Sequence, residues 1–170
     1  MTNTLRLVQA TASDIPVIRN IAMATWPATY GDIISAKQIE YMLNMMYSET
    51  VLLEQMQAGG QQFIIAYQDE KPIAFTGFGE IKKEPLTYKL HKLYVLPIIQ
   101  KSGAGKRLLR EVETIAKTAG AVQLILSVNR ANNAKDFYLR QGFTVLEDMD
   151  FDIGQGFLMV DHVMGKGLVD

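Results

Sequence analysis

Residues 89–117 read KLHKLYVLPIIQKSGAGKRLLREVETIAK. An apolar run enters a turn containing Gly103 and Gly105 and leaves it as an amphipathic helix, from Gly105 to Ala119, stopped by Gly120. Two glycines two residues apart before a helix suggest a backbone shaped to approach a phosphate. A P-loop requires G-x-x-x-x-G-K-[ST]; counting back from Gly105-Lys106 puts Gln100 at the first glycine position, and Arg107 replaces the hydroxyl residue. A dinucleotide fingerprint G-x-G-x-x-G fits Gly103 and Gly105 but meets Leu108 at its third position. What remains is Gln100-Lys101-Ser102-Gly103-Ala104-Gly105, the pattern [Q/R]-x-x-G-x-[G/A], after a strand and opening a helix. Successive amides of such a turn, backed by the positive helix end, form a pyrophosphate cradle.

Working outward, LRLVQA alternates like a short strand, and a helix follows over TASDIPVIRNIAMATW with Thr11 or Ser13 as N-cap. SAKQIEYMLNMMY opens with Ser35 and Gln38 as a capping box, and SETVLLEQMQAGG begins at Ser48 and stops at Gly59-Gly60. QFIIAYQ, PIAFTGFGEIK and LTYKLHKLYVL then read as an antiparallel meander turning at Asp69-Glu70-Lys71-Pro72. Beyond the glycine turn, VQLILSV is a nearly unbroken apolar run, as in a strand buried on both faces. A short helix in NNAKDFYLRQ stops at Gly142, and FTVLEDMDFDI and FLMVDHVMG form a hairpin about Gly154-Gln155-Gly156. The expected fold is α/β with a mixed, mostly antiparallel sheet of about seven strands.

A chain of 170 residues without a linker or an internal repeat is expected to form one domain over 1–170. Net charge is −1, from 17 Lys+Arg against 18 Asp+Glu, so no global field gathers nucleic acid or an anionic membrane. No apolar run reaches a membrane span, and MTNTLRLVQA lacks a signal peptide's apolar core, which reads as cytoplasmic. Zero cysteines exclude disulfides, thiolate metal sites and a cysteine acyl-enzyme, and no metal site is expected.

The glycine turn and the later segment together resemble the GCN5-related N-acetyltransferase (GNAT) superfamily. The likeness covers strand HKLYVLP, loop QKSGAGKRLL, strand LILSVN, and NNAKDFYLRQGF, which looks like the family's Ala-x-x-x-Tyr-x-x-x-Gly-Phe segment. It implies a sheet splayed at an acetyl-CoA site, with Leu93 and Val95 bonding the pantetheine arm like an added strand. It further implies that the amides from Lys101 to Lys106, through Ser102, Gly103, Ala104 and Gly105, meet the pyrophosphate while Gln100 braces the turn. Lys101, Lys106 or Arg107 would assist the 3′-phosphate. Asn129, Asn132 and Asn133 fall where the family places an amide contact to the cofactor, with helix capping the competing reading for Asn132.

By the same resemblance Tyr138 protonates the departing thiolate; its competing reading is packing against Phe137 and Phe143. With no cysteine, the acetyl group passes directly from acetyl-CoA to the amine. Family members often carry a base glutamate on the strand before the loop, where this chain has Lys89, His91 and Lys92. His91, which period-two counting puts on the face of Leu93 and Val95, becomes one base candidate and Glu80 the other. Trp26 and Tyr30 lie in a Pro/Gly-broken segment that flanks the family's acceptor entrance, an aromatic wall suited to a cationic amine. Asp148, Asp150 and Asp152 share one strand face and could steer a polyamine, or form an ordinary solvated edge. Met42, Met45 and Met46 read as packing residues. HKLYVLP and the C-terminal FDIGQGFLMVDHVMGKGL are similar to bacterial spermidine/spermine acetyltransferases. The implied partner is a small amine such as spermidine, with a protein α-amino group or lysine, or a non-catalytic acyl-CoA-binding domain, as alternatives. The family also admits a homodimer.

Overall fold

The computed structural model describes residues 4–57, 60–99 and 102–169. Seven strands form one sheet: β1 (Leu5–Gln9), β2 (Gln62–Gln68), β3 (Lys71–Ile81), β4 (Thr87–Val95), β5 (Gln123–Asn129), β6 (Thr144–Gly154) and β7 (Phe157–Gly167). Their order is β1-β2-β3-β4-β5-β7-β6, antiparallel except for the β4–β5 pair. Five helices flank the sheet: α1 (Ile15–Tyr30), α2 (Ala36–Tyr47), α3 (Glu49–Met56), α4 (Ala104–Thr118) and α5 (Ala134–Arg140).

Local chemistry sets most boundaries. Ser35 Oγ accepts from Gln38 N at 3.1 Å and Ser48 Oγ from Val51 N at 3.2 Å, capping α2 and α3. The expected capping box at Ser35 is only half made, because the Gln38 side chain donates instead to Leu158 O at 2.8 Å, a longer-range bond that ties α2 to β7. Helix α1 does not break at Pro27 but runs through it to Tyr30, and Gly31 N closes the last turn onto Pro27 O at 2.9 Å. The β2–β3 turn has positive φ at Asp69 and Glu70 alone, so Lys71 and Pro72 already belong to β3. Strand β5 alternates buried and half-buried residues rather than being buried on both faces, because one face borders a cavity.

The sheet separates two apolar layers. Beneath α4 and α5 lie Phe78, Leu90, Leu108, Val112, Leu126 and Met164; beneath α1, α2 and α3 lie Ile18, Trp26, Tyr47, Leu52, Phe63 and Phe75. Each such side chain contributes about 1.5–3 kcal/mol of burial free energy, so the two layers hold the sheet in place from both sides.

Strands β4 and β5 pair only from Thr87–Leu90 against Gln123–Leu126. Beyond that point β4 follows β3 as far as Val95 and β5 follows β7 as far as Asn129, so the sheet opens into a wedge. The opening coincides with a β-bulge: Phe78 faces Leu90 and Gly77 faces Lys92, leaving His91 as the extra residue.

Candidate active site

The bulge decides which side chains meet. Leu93 and Val95 pack with the layer beneath α4, whereas Lys92 lies over the Tyr47 and Phe63 rings and Tyr94 joins the α1 layer. His91 lines the same cavity as Lys92 and Tyr94. Period-two counting therefore misplaces it: the inserted residue shifts the alternation by one, so His91 does not share the face of Leu93 and Val95.

One side of the wedge is formed by the start of α4. Gly103 is its N-cap, at φ 86°, in the left-handed region that favours glycine. A Cβ there would meet nothing within 4 Å, so the turn faces open space; one at Gly105 would rest 3.5 Å from Val95 Cγ2 and 3.8 Å from Phe137 Cζ. Ser102 Oγ accepts from Ala104 N at 3.3 Å, and the remaining first-turn amides have no intrahelical acceptor. Lys106 and Arg107 are exposed beside them. Gln100 and Lys101 lie outside the described residues. An anion docked here would meet amides, a helix N-terminus and flanking cations, and the unpaired edges of β4 and β5 would face an extended arm, so these residues fit a pyrophosphate-bearing thioester.

Helix α5 closes the same side. Asn132 Oδ1 accepts from Ala134 N at 2.9 Å, which is the capping role, and Asn129 Oδ1 accepts from Ala131 N at 2.9 Å while its side chain borders the cavity. Asn133 is exposed at the N-cap of α5 without a side-chain cap bond. Tyr138 is buried between Phe137 and Phe143, with ring centroids 5.2 and 5.6 Å away, so its packing role is present whatever the hydroxyl does. Burial pushes the phenol above its ordinary value, and the Tyr30 phenol adds to the effect from across the wedge.

The other side is a cavity of about 450 Å³ between the sheet, α1, α2 and the β6–β7 hairpin, within the range of small-molecule sites. Its aromatic wall combines local and distant residues: the Trp26 and Tyr30 centroids are 4.6 Å apart, Trp26 and Tyr94 5.8 Å, and the Tyr30 and Tyr94 hydroxyls hydrogen-bond at 3.1 Å. Met42 and Met46 line the cavity while Met45 is exposed.

Charges in this cavity differ from those singled out in the sequence. Glu80 is exposed on β3 opposite Tyr88, where the sheet is still closed, and lies outside the cavity. Two of the edge-strand acids have side-chain partners: Asp148 pairs with His162, and Asp150 with Arg130 at 2.7 Å. Asp152 accepts from Gly154 N at 2.9 Å and borders the cavity. His91 is held down at about 4, first by burial and then by the neighbouring Lys89 and Lys92, so at neutral pH it is a neutral, weakly basic ring.

Two cavity residues escaped the sequence reading. Asp161 on β7 is 3% exposed, borders the cavity, and its carboxylate makes no hydrogen bond among the described residues. Burial raises its pKa, while Lys89, Arg130 and His162 pull it down. Lys92 is also 3% exposed, and its Nζ donates to Gln55 Oε1 at 2.9 Å and Gln61 Oε1 at 2.8 Å. The one sequence signal for either was a charge within an apolar strand run, VDHVM or LHKLYVL.

A sheet wedged open between parallel strands, with a phosphate-ready helix start on one side and an amine-sized cavity on the other, defines an acyl-CoA-dependent transferase. The acetyltransferase (GNAT) domain model matches residues 32–161. A spermidine N(1)-acetyltransferase of Thermoplasma acidophilum is 32% identical over 151 residues, covering 86% of this chain and 89% of that protein. The crystal structure of the PaiA N-acetyltransferase from the same organism, in complex with coenzyme A, superposes with a TM-score of 0.81 at 28% identity, covering 96% and 99% of the two chains. A GCN5-related N-acetyltransferase from Rhodopseudomonas palustris, 22% identical with a TM-score of 0.81 and 98% coverage of both chains, shares the fold. The chain belongs to the GNAT acetyltransferase family. It is an acetyl-CoA-dependent N-acetyltransferase. Among the described residues no helix is long and apolar enough to cross a membrane.

Proposed function

We propose that the chain, acting as one domain, acetylates a primary amine of a linear aliphatic polyamine such as spermidine. The observation that carries this reading is Asp161, a buried carboxylate without a hydrogen-bond partner among the described residues, beside the Trp26–Tyr30–Tyr94 wall. An ammonium group placed there gains a charge-assisted hydrogen bond and ring faces, and Asp152 offers a second anionic point for a long acceptor. The 32%-identical relative carries a spermidine acetyltransferase name, which points the same way.

The co-substrate supplies an acetyl thioester. In this reading the first-turn amides of α4, at Gly103 to Lys106, hold its pyrophosphate, with Ser102 bracing the turn and Arg107 near the 3′-phosphate. The free edge of β4 at Leu93 and Val95 binds the extended arm, and Asn129 reaches it from β5. Tyr138 keeps its proton at neutral pH and gives it to the departing sulfur. Transfer is direct, from thioester to amine.

A free-thiol release assay with acetyl-CoA against spermidine, spermine, free lysine and a peptide with a free α-amino group tests the acceptor. Spermidine or spermine is expected to give the highest kcat/KM; faster turnover of the peptide would replace the polyamine reading with a protein acetyltransferase. For the cradle, Gly103→Val should raise the acetyl-CoA Kd at least about tenfold, or about 1.4 kcal/mol, because a β-branched residue at φ 86° forces the turn to move. Calorimetric titration of the folded variant measures it, and an unchanged Kd would remove the cradle from this turn.

A further inference from the structure

The cavity contains a lysine, Lys92, with no ion-pair partner among the described residues. Two of the three Nζ positions of Lys92 are committed to the Gln55 and Gln61 carbonyl oxygens, and Nζ lies near two aromatic rings. The Phe63 and Tyr47 centroids are 5.2 and 5.8 Å from Nζ. Glutamine oxygens accept from a neutral amine as well as from an ammonium, so this setting orients Nζ without fixing its charge. A carboxylate in either place would have locked the ammonium form.

The facing groups are all accounted for. Helix α2 contributes the Tyr47 phenol, α3 the neutral Gln55, and β2 with its preceding residue Phe63 and Gln61; β3 contributes Thr76, whose hydroxyl donates to Lys92 O at 2.6 Å. On β4 the neighbours are His91 and Lys89, and the carboxylates Asp152 of β6 and Asp161 of β7 line the same cavity. Burial pushes Lys92 down to about 7, close to the pH at which a proton acceptor must operate.

We propose that Lys92 is the base of this enzyme, its neutral Nζ taking a proton from the ammonium of the acceptor, directly or through one cavity water. The proposal rests on the amine-acetylation reading of this cavity, and on any primary amine rather than on spermidine alone. An acceptor ammonium loses two protons as the new C–N bond forms and the C–S bond breaks. One passes to Lys92 Nζ and on to solvent; the other ends on the CoA sulfur, so the products are the amide, the free thiol and one released proton. The glutamines hold the lone pair of Lys92 toward the cavity, and His91, held neutral, adds no competing charge.

The test compares wild type with Lys92→Met and Lys92→Arg. The kcat/KM would be followed from pH 5.5 to 9.5 with spermidine, or with the best amine of the panel, and 13Cε-lysine NMR would be recorded on the free enzyme. Wild-type kcat/KM is expected to rise with pH through an ionisation near 7, since the neutral amine is the active form. One lysine resonance, absent from both variants, should titrate at the same pH. Both variants should lose about 10²-fold at pH 8 together with that ionisation. Arginine keeps charge and donors but cannot release its proton, so an active Lys92→Arg would mean that Lys92 merely anchors an anion, and would overturn the proposal. A lysine resonance that stays charged to pH 9, or an ionisation that survives in Lys92→Met, would overturn it equally. If Lys92→Met fails to fold, Lys92→Arg and the NMR titration decide. Failure of spermidine with success of another amine sinks the polyamine reading and leaves this one standing.

Discussion

Tyr138→Phe is expected to lower kcat by about 10²-fold while acetyl-CoA affinity stays within a factor of about three. The ring remains, and with it the edge contacts to Phe137 and Phe143, so α5 should keep its position. Only the hydroxyl is lost. Burial holds that phenol above its ordinary value, so it carries its proton across the working range and adds no ionisation of its own to the rate profile. A weaker acid is a poor partner for a well-solvated thiolate, but a sulfur leaving into the same apolar wedge is poorly solvated and more basic, so the two shift together. Single-turnover rates, acetyl-CoA titration and Tm separate the alternatives. A variant that turns over like wild type would leave Tyr138 a packing residue, and one with a large drop in Tm would show that the hydroxyl is structural.

Asp161→Asn should lower kcat/KM for spermidine by roughly 10- to 10²-fold, mostly through KM, as expected when a charge-assisted hydrogen bond of about 1.5–3 kcal/mol is lost. The same substitution should not lower Tm. Burial raises the Asp161 pKa, so between the ordinary carboxylate value and the folded value the native state binds the extra proton. Stability contributed at this site therefore falls as pH rises through that window, and at neutral pH the buried carboxylate is a liability that the amide relieves. Weaker acceptor binding with an equal or higher Tm would mark a residue kept for function. Unchanged spermidine kinetics would remove Asp161 from the acceptor site, and a lower Tm would mark it as structural.

The two sides of the wedge differ in how far the sequence describes them. The helix start on one side was legible because its backbone geometry is local. Gly103, Gly105 and the helix they open are neighbours in the chain, and the left-handed φ at Gly103 is a property that glycine itself advertises. The serine caps of α2 and α3, the β2–β3–β4 meander and the Gly142 stop after α5, at φ 95°, belong to the same class. Trp26 and Tyr30 are one helical turn apart, so their stacking was also within reach.

The cavity side was decided by tertiary structure. One inserted residue in β4 moves His91 away from Leu93 and Val95 and onto the cavity wall, and no periodicity count anticipates a bulge. Gln38 completes half a capping box in the sequence but spends its side chain on Leu158, 120 residues away. Lys92 is a strand lysine like Lys89 until α3 and the residue before β2 bring Gln55 and Gln61 to its Nζ. Asp161 reads as one acid among several on the last hairpin, yet Asp148 finds His162 and Asp150 finds Arg130, while Asp161 is left without a hydrogen bond to its carboxylate among the described residues. The sequence alone determined where a glycine turn opens a helix, since backbone conformation and helix termini are local. Which charges face the cavity followed only from the folded sheet, because desolvation and partner choice depend on residues that the chain keeps far apart.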